Sequence, residues 1–530
     1  MKAVALLLFI ASDPATGQAQ PAFPSASGPA AETPGGRGGR VIEVTQLGDS
    51  GPGSLREALE ATGPRTIVFR VGGTISLDSQ LLIREPFLTV AGQTAPGGGI
   101  LLRGNGTFDV VDIRAHDVVL RYLRIRNERG TPGTTDDVYL GSGAERVIID
   151  HCSLSWANDE LFSIWPTGDA TVRDVTLSWS VLAETLEGHA TAVLAGSDVD
   201  STSIRGVVIH HNVFAHNTHR NPLVKVGQAI VSNNLVYDYR LWGVGLGGGI
   251  EADVVGNLFV PGPNTGARAD NLILRRVNPR ANPSIGPAGD PSLYIEDNLG
   301  PGCTEDTDPF ACVFESDPWE PTGAFPAAPQ RRTTGASLRF PVDQVPASML
   351  EGVLSPTVGA SERLNERGEW VSARDAVDAR VLENLRTRTG RYIDTPNDVG
   401  GFPDIAGGEA YEDGDRDGMA DVWESLHGFD ATNPADGTED SDGDGFTNLE
   451  EFLNGTTPRT IAIRPDAGSE PDGSASDDAS TPVDGGATPD AAMADASADS
   501  VDVTGNCAAG GSPAFLWLLV AAWLGTRRRA

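Results

Sequence analysis

Residues 207–214 read Val-Val-Ile-His-His-Asn-Val-Phe, and the pattern returns as Ala-Ile-Val-Ser-Asn-Asn-Leu-Val at 229–236 and Ala-Asp-Val-Val-Gly-Asn-Leu-Phe at 252–259. Each unit carries an asparagine, Asn212, Asn234 or Asn257, directly before an apolar pair. The units begin 22 and 23 residues apart, which fits one coil of a stacked repeat. Alternate side chains would face inward, and the stacked asparagines would form a hydrogen-bonded ladder. We therefore predict an all-β parallel β-helix.

Similar apolar runs continue toward the N-terminus, where they begin further apart. Apolar runs begin at Val118, Val147 and Val175, and they lie 28 to 32 residues apart up to Val207. The extra residues must form loops, which often carry function. A β-sandwich with irregular strands is the alternative, and the repeated asparagine register favours the β-helix over it.

Two helices are expected beside the coils. Ser54 followed by Glu57 is a capping-box pattern, and the helix that it begins would cover the open end of the β-helix. The clearest helical pattern in the later return segment spans 374–385.

Composition divides the chain into further segments. Lys2 and a short apolar run resemble a secretory signal, and the apolar run at 515–524 precedes Arg527, Arg528 and Arg529. We therefore expect a secreted or cell-surface protein whose C-terminal segment attaches transiently or permanently to a membrane. The predicted segments are a signal peptide (1–20), a linker (21–40), the β-helix with its return segment (41–400), a calcium-binding pair (404–458), a disordered acidic linker (459–505) and a sorting or anchor segment (506–530).

The charge is strongly negative and unevenly distributed. The net charge is −34, and residues 404–505 hold 26 Asp and Glu against three Arg. Nucleic-acid binding needs a basic surface, so this class of partner is excluded. Acidity of this kind suits divalent cations or a solvated linker. We expect a monomer.

Four cysteines give limited information. Cys303 and Cys312 lie in one Gly/Pro/Asp-rich loop, where a disulfide between them is an open possibility. Cys152 follows an apolar run and is expected to be a buried free thiol.

Two twelve-residue acidic loops fit the EF-hand calcium pattern at every required position. Carboxylates at positions one, three and five approach the ion, a glycine makes the sharp turn, position seven gives a backbone carbonyl, and a glutamate closes the shell. The predicted ligands are Asp413, Asp415, Asp417, Met419, Asp421 and Glu424 in the first loop, and Asp440, Asp442, Asp444, Phe446, Asn448 and Glu451 in the second.

Several strings between about 41 and 300 resemble the pectate lyases of polysaccharide lyase family one. They are Pro64-Arg-Thr-Ile-Val-Phe-Arg-Val71, Leu88-Thr-Val-Ala-Gly-Gln-Thr-Ala-Pro-Gly97, Arg121-Tyr-Leu-Arg-Ile-Arg126, Val147-Ile-Ile-Asp-His-Cys152 and Arg220-x-Pro222-x-x-Lys225. The resemblance implies a right-handed, pectin lyase-like β-helix, and some members carry an EF-hand-like tail. It also implies a calcium-dependent β-elimination on an acidic polysaccharide, pectate or polygalacturonate.

The resemblance assigns roles to particular residues. Arg220 matches the family's base, and Lys225 would hold a substrate carboxylate. Asp137 and Asp159 match calcium ligands in the groove, and Asp150 with His151 is expected to satisfy bends in the core.

The chain departs from the family at two groove positions. Ser163 stands where a second acid is expected, with Glu160 as a substitute, and Thr191 stands where a lysine is common. Two other functions therefore stay open, a polygalacturonase-type hydrolase and a non-catalytic glycan-binding β-helix. A zinc site among His210, His211 and their neighbours is disfavoured, because adjacent strand residues face opposite ways.

Overall fold

The computed structural model describes residues 20–458, apart from 169, 200, 279–281, 283 and 315–329. Within these residues, three parallel sheets stack their strands coil upon coil, so the fold is a parallel β-helix and the sandwich alternative is wrong. The predicted signal peptide, acidic linker and C-terminal segment lie outside the described residues. None of the helices in the described part of the chain has the length and apolar character needed to span a bilayer.

The described strands fall into three sheets. The long sheet contains Arg40–Val44, Arg65–Phe69, Leu88–Ala91, His116–Arg121, Glu145–Asp150, Val172–Ser178, Ile204–His210, Gln228–Ser232, Glu251–Val255, Ser292–Glu296 and Gln330–Arg331. The eight-stranded sheet contains Gly73–Ser76, Ile100–Arg103, Leu123–Arg126, Ser153–Ser155, Val181–Ala183, Val213–Ala215, Leu235–Tyr237 and Leu258–Val260. The nine-stranded sheet contains Leu81–Ile83, Val111–Ile113, Val138–Leu140, Glu160–Ile164, Thr191–Ala195, Leu223–Val224, Val244–Gly247, Ile273–Arg276 and Val313–Phe314.

The remaining elements are short. A two-stranded antiparallel sheet joins Glu362–Leu364 to Trp370–Ser372. The α-helices span Leu55–Glu60, Leu350–Thr357, Ala376–Thr387, Asp421–His427 and Asn448–Asn454. Short 3₁₀ helices span Pro29–Glu32, Gly92–Thr94, Ser201–Ser203, Gly266–Arg268, Pro309–Cys312, Ala347–Met349, Pro396–Val399 and Asp436–Thr438.

The core lies inside the coils, because aligned strands place like residues in register. Val147 pairs with Val175, and Val175 pairs with Val207 on the next coil. All three side chains are buried in one continuous apolar cluster. The sequence repeat therefore becomes a stack of apolar side chains along the axis.

The asparagine ladder is present and longer than the three predicted members. Nδ2 of Asn212 donates to Oδ1 of Asn234 at 3.0 Å, and Asn234 donates to Asn257 at 3.0 Å. Asn257 continues the ladder to Asn298 at 2.8 Å. These buried amides satisfy one another at the bend between the long and eight-stranded sheets.

One sequence expectation fails at this bend. His211 has a left-handed backbone with φ of 54°, which breaks the alternation of the strand. His210 and His211 consequently bring their Nδ1 atoms to 2.9 Å, so the prediction that they face opposite ways is wrong. Nε2 of His210 also lies 2.9 Å from Oγ of Ser27, which gives this ring two protein partners.

Segments outside the coils cover two of the sheets. The helices Leu350–Thr357 and Ala376–Thr387 pack on the outer face of the eight-stranded sheet. The segment 21–40, expected to be a linker, packs against the long sheet, since Ala30 and Ala31 are small enough to lie on Val119 and Ile148. The helix Leu55–Glu60 begins after Ser54 as predicted and joins the apolar interior.

The cysteines pair in one place. Cys303 and Cys312 form a disulfide, and Cys152 is a buried free thiol. Burial raises the pKa of Cys152 to about 12, so this thiol is unreactive.

Candidate functional site

A cluster of charged side chains lies on the nine-stranded sheet. Consecutive coils place Glu160 beside Thr191 there. The strand Glu160–Ile164 turns Phe162 and Ile164 into the core, which leaves Ser163 facing outward. Glu160 is in register with Thr191, and Oγ1 of Thr191 donates to Oε1 of Glu160 at 3.2 Å.

Arg220 reaches this group from the following coil. Its backbone is left-handed, with φ of 60°, and it precedes the cis Asn221–Pro222 bond. Its carbonyl accepts from the amide of Val193 at 2.8 Å, which fixes it against the neighbouring strand. Nη1 of Arg220 forms a close ion pair with Oε1 of Glu160.

The carboxyl groups of Asp136, Asp159 and Glu160 lie close together, near Arg220. Asp136 accepts a hydrogen bond from the amide of Glu160 at 2.9 Å and another from Oγ of Ser163. Nδ1 of His189 lies 2.5 Å from Oδ1 of Asp159. Asp159, Glu160 and His189 can place one ligand atom each within 4.8 Å of one another.

The carboxyl groups of this cluster differ in the direction in which their pKa values are shifted. Burial, with Asp159 as a repelling neighbour, raises the pKa of Glu160 to about 7 even though Arg220 opposes the shift. Burial and the charges of Glu160 and Asp159 also raise the pKa of Asp136 well above its usual range. For Asp159 burial acts upward, but contact with His189, the hydrogen bond with Glu160 and the charge of Arg220 together lower the pKa. The group therefore favours an added cation, which would relieve the repulsion.

Lys225 lies near Arg220 but is nearly buried. Its Nζ donates to the carbonyl oxygen of Ser284 at 3.0 Å and lies 4.7 Å from the centre of the Trp165 ring. Burial, followed by repulsion from Arg220, lowers the pKa of Lys225 to about 8. The ammonium group of Lys225 should therefore lose its positive charge at mildly alkaline pH.

The structure separates Asp137 from this group. Asp137 is completely buried, and burial raises its pKa well above the usual range while Arg126 opposes the shift. The charges that act on Asp136 are instead those of Glu160, Asp159 and Asp109. Of the adjacent residues Asp136 and Asp137, it is therefore Asp136 that lies near the predicted ligand Asp159. The ligand role of Asp137 stays a prediction.

The oxygen donors present fit calcium, which prefers carboxylates, carbonyls and water. Asp159 and Glu160 would hold such an ion, with Asp136 close by. The pKa values of Asp136 and Glu160 are raised chiefly by burial and further by neighbouring carboxylates. Asp150 and His151 lie elsewhere, since Asp150 is buried and bonds Arg121, His151 and Ser178 as the sequence predicts for a core bend.

The first acidic loop folds around its own carboxylates. Asp413, Asp415 and Asp417 lie close enough for one oxygen of each to fall within 4.8 Å of the others. Gly418 takes φ of 95°, a conformation that suits glycine at the sharp turn. Both carboxylate oxygens of Glu424 are buried and accept no hydrogen bond from the described residues. This donor set fits calcium.

The second loop repeats the arrangement with more exposure. Asp440, Asp442 and Asp444 form a comparable group and are exposed. Gly445 takes φ of 98°, and Glu451 is buried beside Thr456. The amides of Asp421 and Asn448 donate to the residues before their loops, Glu412 at 3.0 Å and Glu439 at 2.7 Å.

Both loops are fixed to the β-helix. Trp423, Phe452 and Met419 pack in an apolar cluster that includes Ala91. Arg37 pairs with Glu450 at 2.7 Å, and the amide of Gln93 donates to the carbonyl of Leu453 at 3.1 Å.

Known proteins resemble this chain over most of its length. The family described as "Pectate lyase" matches residues 98–282. A "Probable pectate lyase C" of Emericella nidulans is 32% identical over 421 residues, covering 79% of this chain and 88% of that protein. The chain belongs to the pectate lyase family. It is accordingly a polysaccharide lyase.

A second relative of this pectate lyase agrees. A "Probable pectate lyase C" of Aspergillus fumigatus is 33% identical over 422 residues, with 77% of this chain and 88% of that protein covered. A solved structure, "Pectate lyase bound to hexasaccharide", is 15% identical, covers 65% of this chain and 99% of its own, and has a TM-score of 0.44.

Sequence reasoning missed two residues beside Arg220 and Glu160 and one residue on the connector between the two acidic loops. No sequence pattern assigned a role to His189, which pairs with Asp159. Asp136 was passed over for its neighbour, and Asp436, which lies between the two acidic loops, was not considered. No local pattern distinguishes these residues, because their partners come from other coils or from beyond the loop.

Proposed function

We propose that this chain is a secreted, calcium-dependent pectate lyase that cleaves α-1,4-linked polygalacturonate by β-elimination, with Arg220 as the base. The ion pair of Arg220 with Glu160, next to Asp136 and Asp159, supports this proposal best. The family assignment favours a lyase over the hydrolase and the non-catalytic alternatives.

The reaction needs a base at C5 of a uronate and a stabilised carboxylate beside it. Arg220 removes the C5 proton, a double bond forms between C4 and C5, and the bond from C4 to the glycosidic oxygen breaks. The leaving oxygen takes a proton from water, and Arg220 returns its proton to solvent. Calcium, when bound, would neutralise the substrate carboxylate and stabilise the charge that develops at C5.

Glu160 has two roles in this proposal. One oxygen of Glu160 pairs with Arg220 in the structure, and a carboxylate oxygen of Glu160 also lies close enough to Asp159 and His189 to share a cation with them. An arginine paired with a carboxylate is held protonated and is a poor base. If Glu160 held a cation instead, Arg220 would lose this partner and would be available to the substrate.

The remaining charged residues position the sugar and the acids. Lys225 would hold a neighbouring uronate carboxylate as a point charge. His189 would fix Asp159, which it contacts at 2.5 Å. Thr191 contributes a hydrogen bond to Glu160, whereas the lysine common in the family at this position would add a positive charge.

We also propose that the two acidic loops form an EF-hand-like module that binds calcium and stabilises the protein. Buried carboxylate oxygens of Asp415, Asp417 and Glu424 without hydrogen-bond partners among the described residues support this role. Asp421 and Asn448 at position nine, and the carbonyls of Met419 and Phe446, would complete the ligand sets. The attachment of both loops to the β-helix would transmit the stabilisation to the fold.

The test is a continuous ultraviolet assay of polygalacturonate, because elimination creates an absorbing unsaturated product and hydrolysis does not. We expect the signal with calcium and its loss with a chelator. New reducing ends without absorbance would favour a hydrolase, and binding without either signal would favour a glycan-binding role.

A further inference from the structure

A carboxylate from outside the first calcium loop enters the group of buried acids at its centre. Asp417, Glu424 and Asp436 each place a carboxylate oxygen within 4.8 Å of the other two. Asp417 and Glu424 belong to the loop, whereas Asp436 lies on the connector between the two loops. The EF-hand spacing assigns no role to this residue.

At least one carboxylate oxygen of each of these three acids lacks a hydrogen-bond partner among the described residues. Oδ1 of Asp436, Oδ2 of Asp417 and both oxygens of Glu424 are buried and make no hydrogen bond to the residues that the structure describes. The exposed fraction is 6% for Asp436, 6% for Asp417 and 0% for Glu424. Buried carboxylates in this state are costly unless a cation joins them.

The pKa shifts of Glu424 and Asp417 also reflect the closeness of Asp436. Burial and then the charge of Asp417 raise the pKa of Glu424 to about 8, and Asp436 contributes to the shift. Asp436 also acts on Asp417, whose pKa burial raises to about 7. The side chain of Asp436 faces the interior of the first loop, because its carboxylate lies beside those of Asp417 and Glu424.

The backbone permits this close approach. Gly437 follows Asp436, and a Cβ atom at Gly437 would lie 2.5 Å from Oδ2 of Asp417. A residue with a side chain would push the connector or the Asp417 carboxylate away. The position at which the connector meets the loop is thus one that glycine fits best.

We propose that Asp436 is an additional calcium ligand of the first loop and that it couples this loop to the second one. The proposal rests on the calcium binding proposed above for the acidic module. In the first loop, Oδ1 of Asp421 at position nine accepts from the amide of Gly414 at 2.7 Å. Asp436 supplies a further carboxylate oxygen to a shell that needs six to eight.

The coupling runs through the backbone of Asp436. Its carbonyl oxygen accepts a hydrogen bond from Nδ2 of Asn448 at 2.7 Å. Asn448 occupies position nine of the second loop, and its Oδ1 is buried without a described partner. When calcium fixes Asp436 in the first loop, it also fixes the residue on which Asn448 rests.

The test is calorimetric titration of the full chain with calcium chloride, with Asp436→Asn compared to Glu439→Gln. Glu439 is exposed on the same connector, so its substitution removes the same charge without touching the group. We expect Asp436→Asn to weaken one class of calcium sites by about tenfold or more and Glu439→Gln to leave it unchanged. Equal titrations of wild type and Asp436→Asn overturn the proposal.

Melting temperatures separate a ligand from a structural residue. Oδ2 of Asp436 also accepts from the amide of Asp430 at 3.2 Å, and a merely structural Asp436 would act through this bond. As a ligand, Asp436→Asn lowers the melting temperature in calcium and leaves it equal or higher in chelator, because one repelling carboxylate is gone. An equal loss in both conditions overturns the ligand role.

A reference variant distinguishes this inference from the module on which it rests. Glu424→Gln removes a ligand that the loop pattern itself assigns. Identical titrations of wild type and Glu424→Gln contradict calcium binding by the loop, and the role of Asp436 falls with it. A clear loss in Glu424→Gln with none in Asp436→Asn rejects only the role of Asp436.

Discussion

Carboxylates cluster both in the groove and in the first acidic loop, but the two clusters differ in the partners that these carboxylates have. In the groove Glu160 pairs with Arg220, Asp159 pairs with His189, and Asp136 accepts from Ser163. In the loop, oxygens of Asp417 and Glu424 have no hydrogen-bond partner among the described residues.

The difference indicates what each site does with a cation. A loop whose carboxylates lack other partners gains most of its stability when an ion arrives. In the groove the ion pair with Arg220 already offsets part of the charge of Glu160, so under the proposed function a cation would compete with Arg220 for Glu160. Exchangeable partners suit a site that must bind and release substrate at each turnover.

The largest expected effect tests the groove. Arg220→Ala should lower kcat on polygalacturonate by about 10²–10⁴-fold, the usual contribution of a positioned base. The ultraviolet assay at saturating calcium measures it. Arg386→Ala is the control, since Arg386 is exposed on a helix and pairs only with Glu383 among the contacts of the described residues. A kcat within a few-fold of wild type would remove Arg220 from the chemistry.

A smaller effect is expected at the edge of the groove. Lys225→Met should raise KM by about 10–100-fold, because a charge-assisted hydrogen bond to substrate is worth about 1.5–3 kcal/mol. The pKa of Lys225 is about 8, so wild-type affinity should fall as pH rises through that value and the ammonium loses its proton. Lys225→Arg keeps the charge at higher pH and should abolish this decline. An unchanged pH profile in Lys225→Arg would contradict the role.

The loop should affect stability and leave chemistry intact. Glu424→Gln should remove about 2–3 kcal/mol of unfolding free energy at calcium a hundredfold above Kd, with kcat unchanged when the groove is saturated. Thermal melts in calcium and in chelator measure the difference. Glu409→Gln changes an exposed acid nearby and serves as the control. A parallel loss of kcat would show that the loop and the groove are not separate in function.

The smallest effect is the pH dependence of the calcium-free protein. The pKa values of Glu424, Asp417 and Asp413 are raised to about 8, 7 and 6, chiefly by burial. A carboxyl whose pKa is raised in the folded state binds more protons there than in the unfolded chain. Stability in chelator should therefore fall as pH rises from about 4.5 to about 8.

Calcium should flatten this slope, because the ion favours the ionised carboxylates, and Glu424→Gln should flatten it in chelator. Melting temperatures across the pH range measure both. A stability that rises with pH in chelator would show that these acids are not strained without an ion.

Much of the fold was predictable because its signals are local. The repeat spacing and the asparagine before each apolar pair predicted stacked coils and their ladder, and the ladder lacked only Asn298. The wrong expectation for His210 and His211 arose from treating them as one strand. The left-handed bend at His211 depends on the stacking of coils, which the two residues alone do not reveal.

The candidate site was predictable only in outline. Arg220 and Glu160 are far apart in sequence, and Asp136 and His189 join them from two further strands or loops. Motif matching favoured Asp137, which differs from Asp136 only in the direction of its side chain. That direction depends on where the coil turns, and a match between short sequence strings does not encode it.

The amino-acid sequence by itself determined the coiled architecture, the asparagine ladder and the two calcium-loop patterns. These features depend on alternation and spacing over short stretches of chain, which neighbouring residues enforce directly. Only the tertiary structure decided that Glu160 pairs with Arg220 and that Asp436 turns into the first loop. Such contacts arise when separate segments are stacked and carboxylates are buried together, and their strength depends on distance and desolvation.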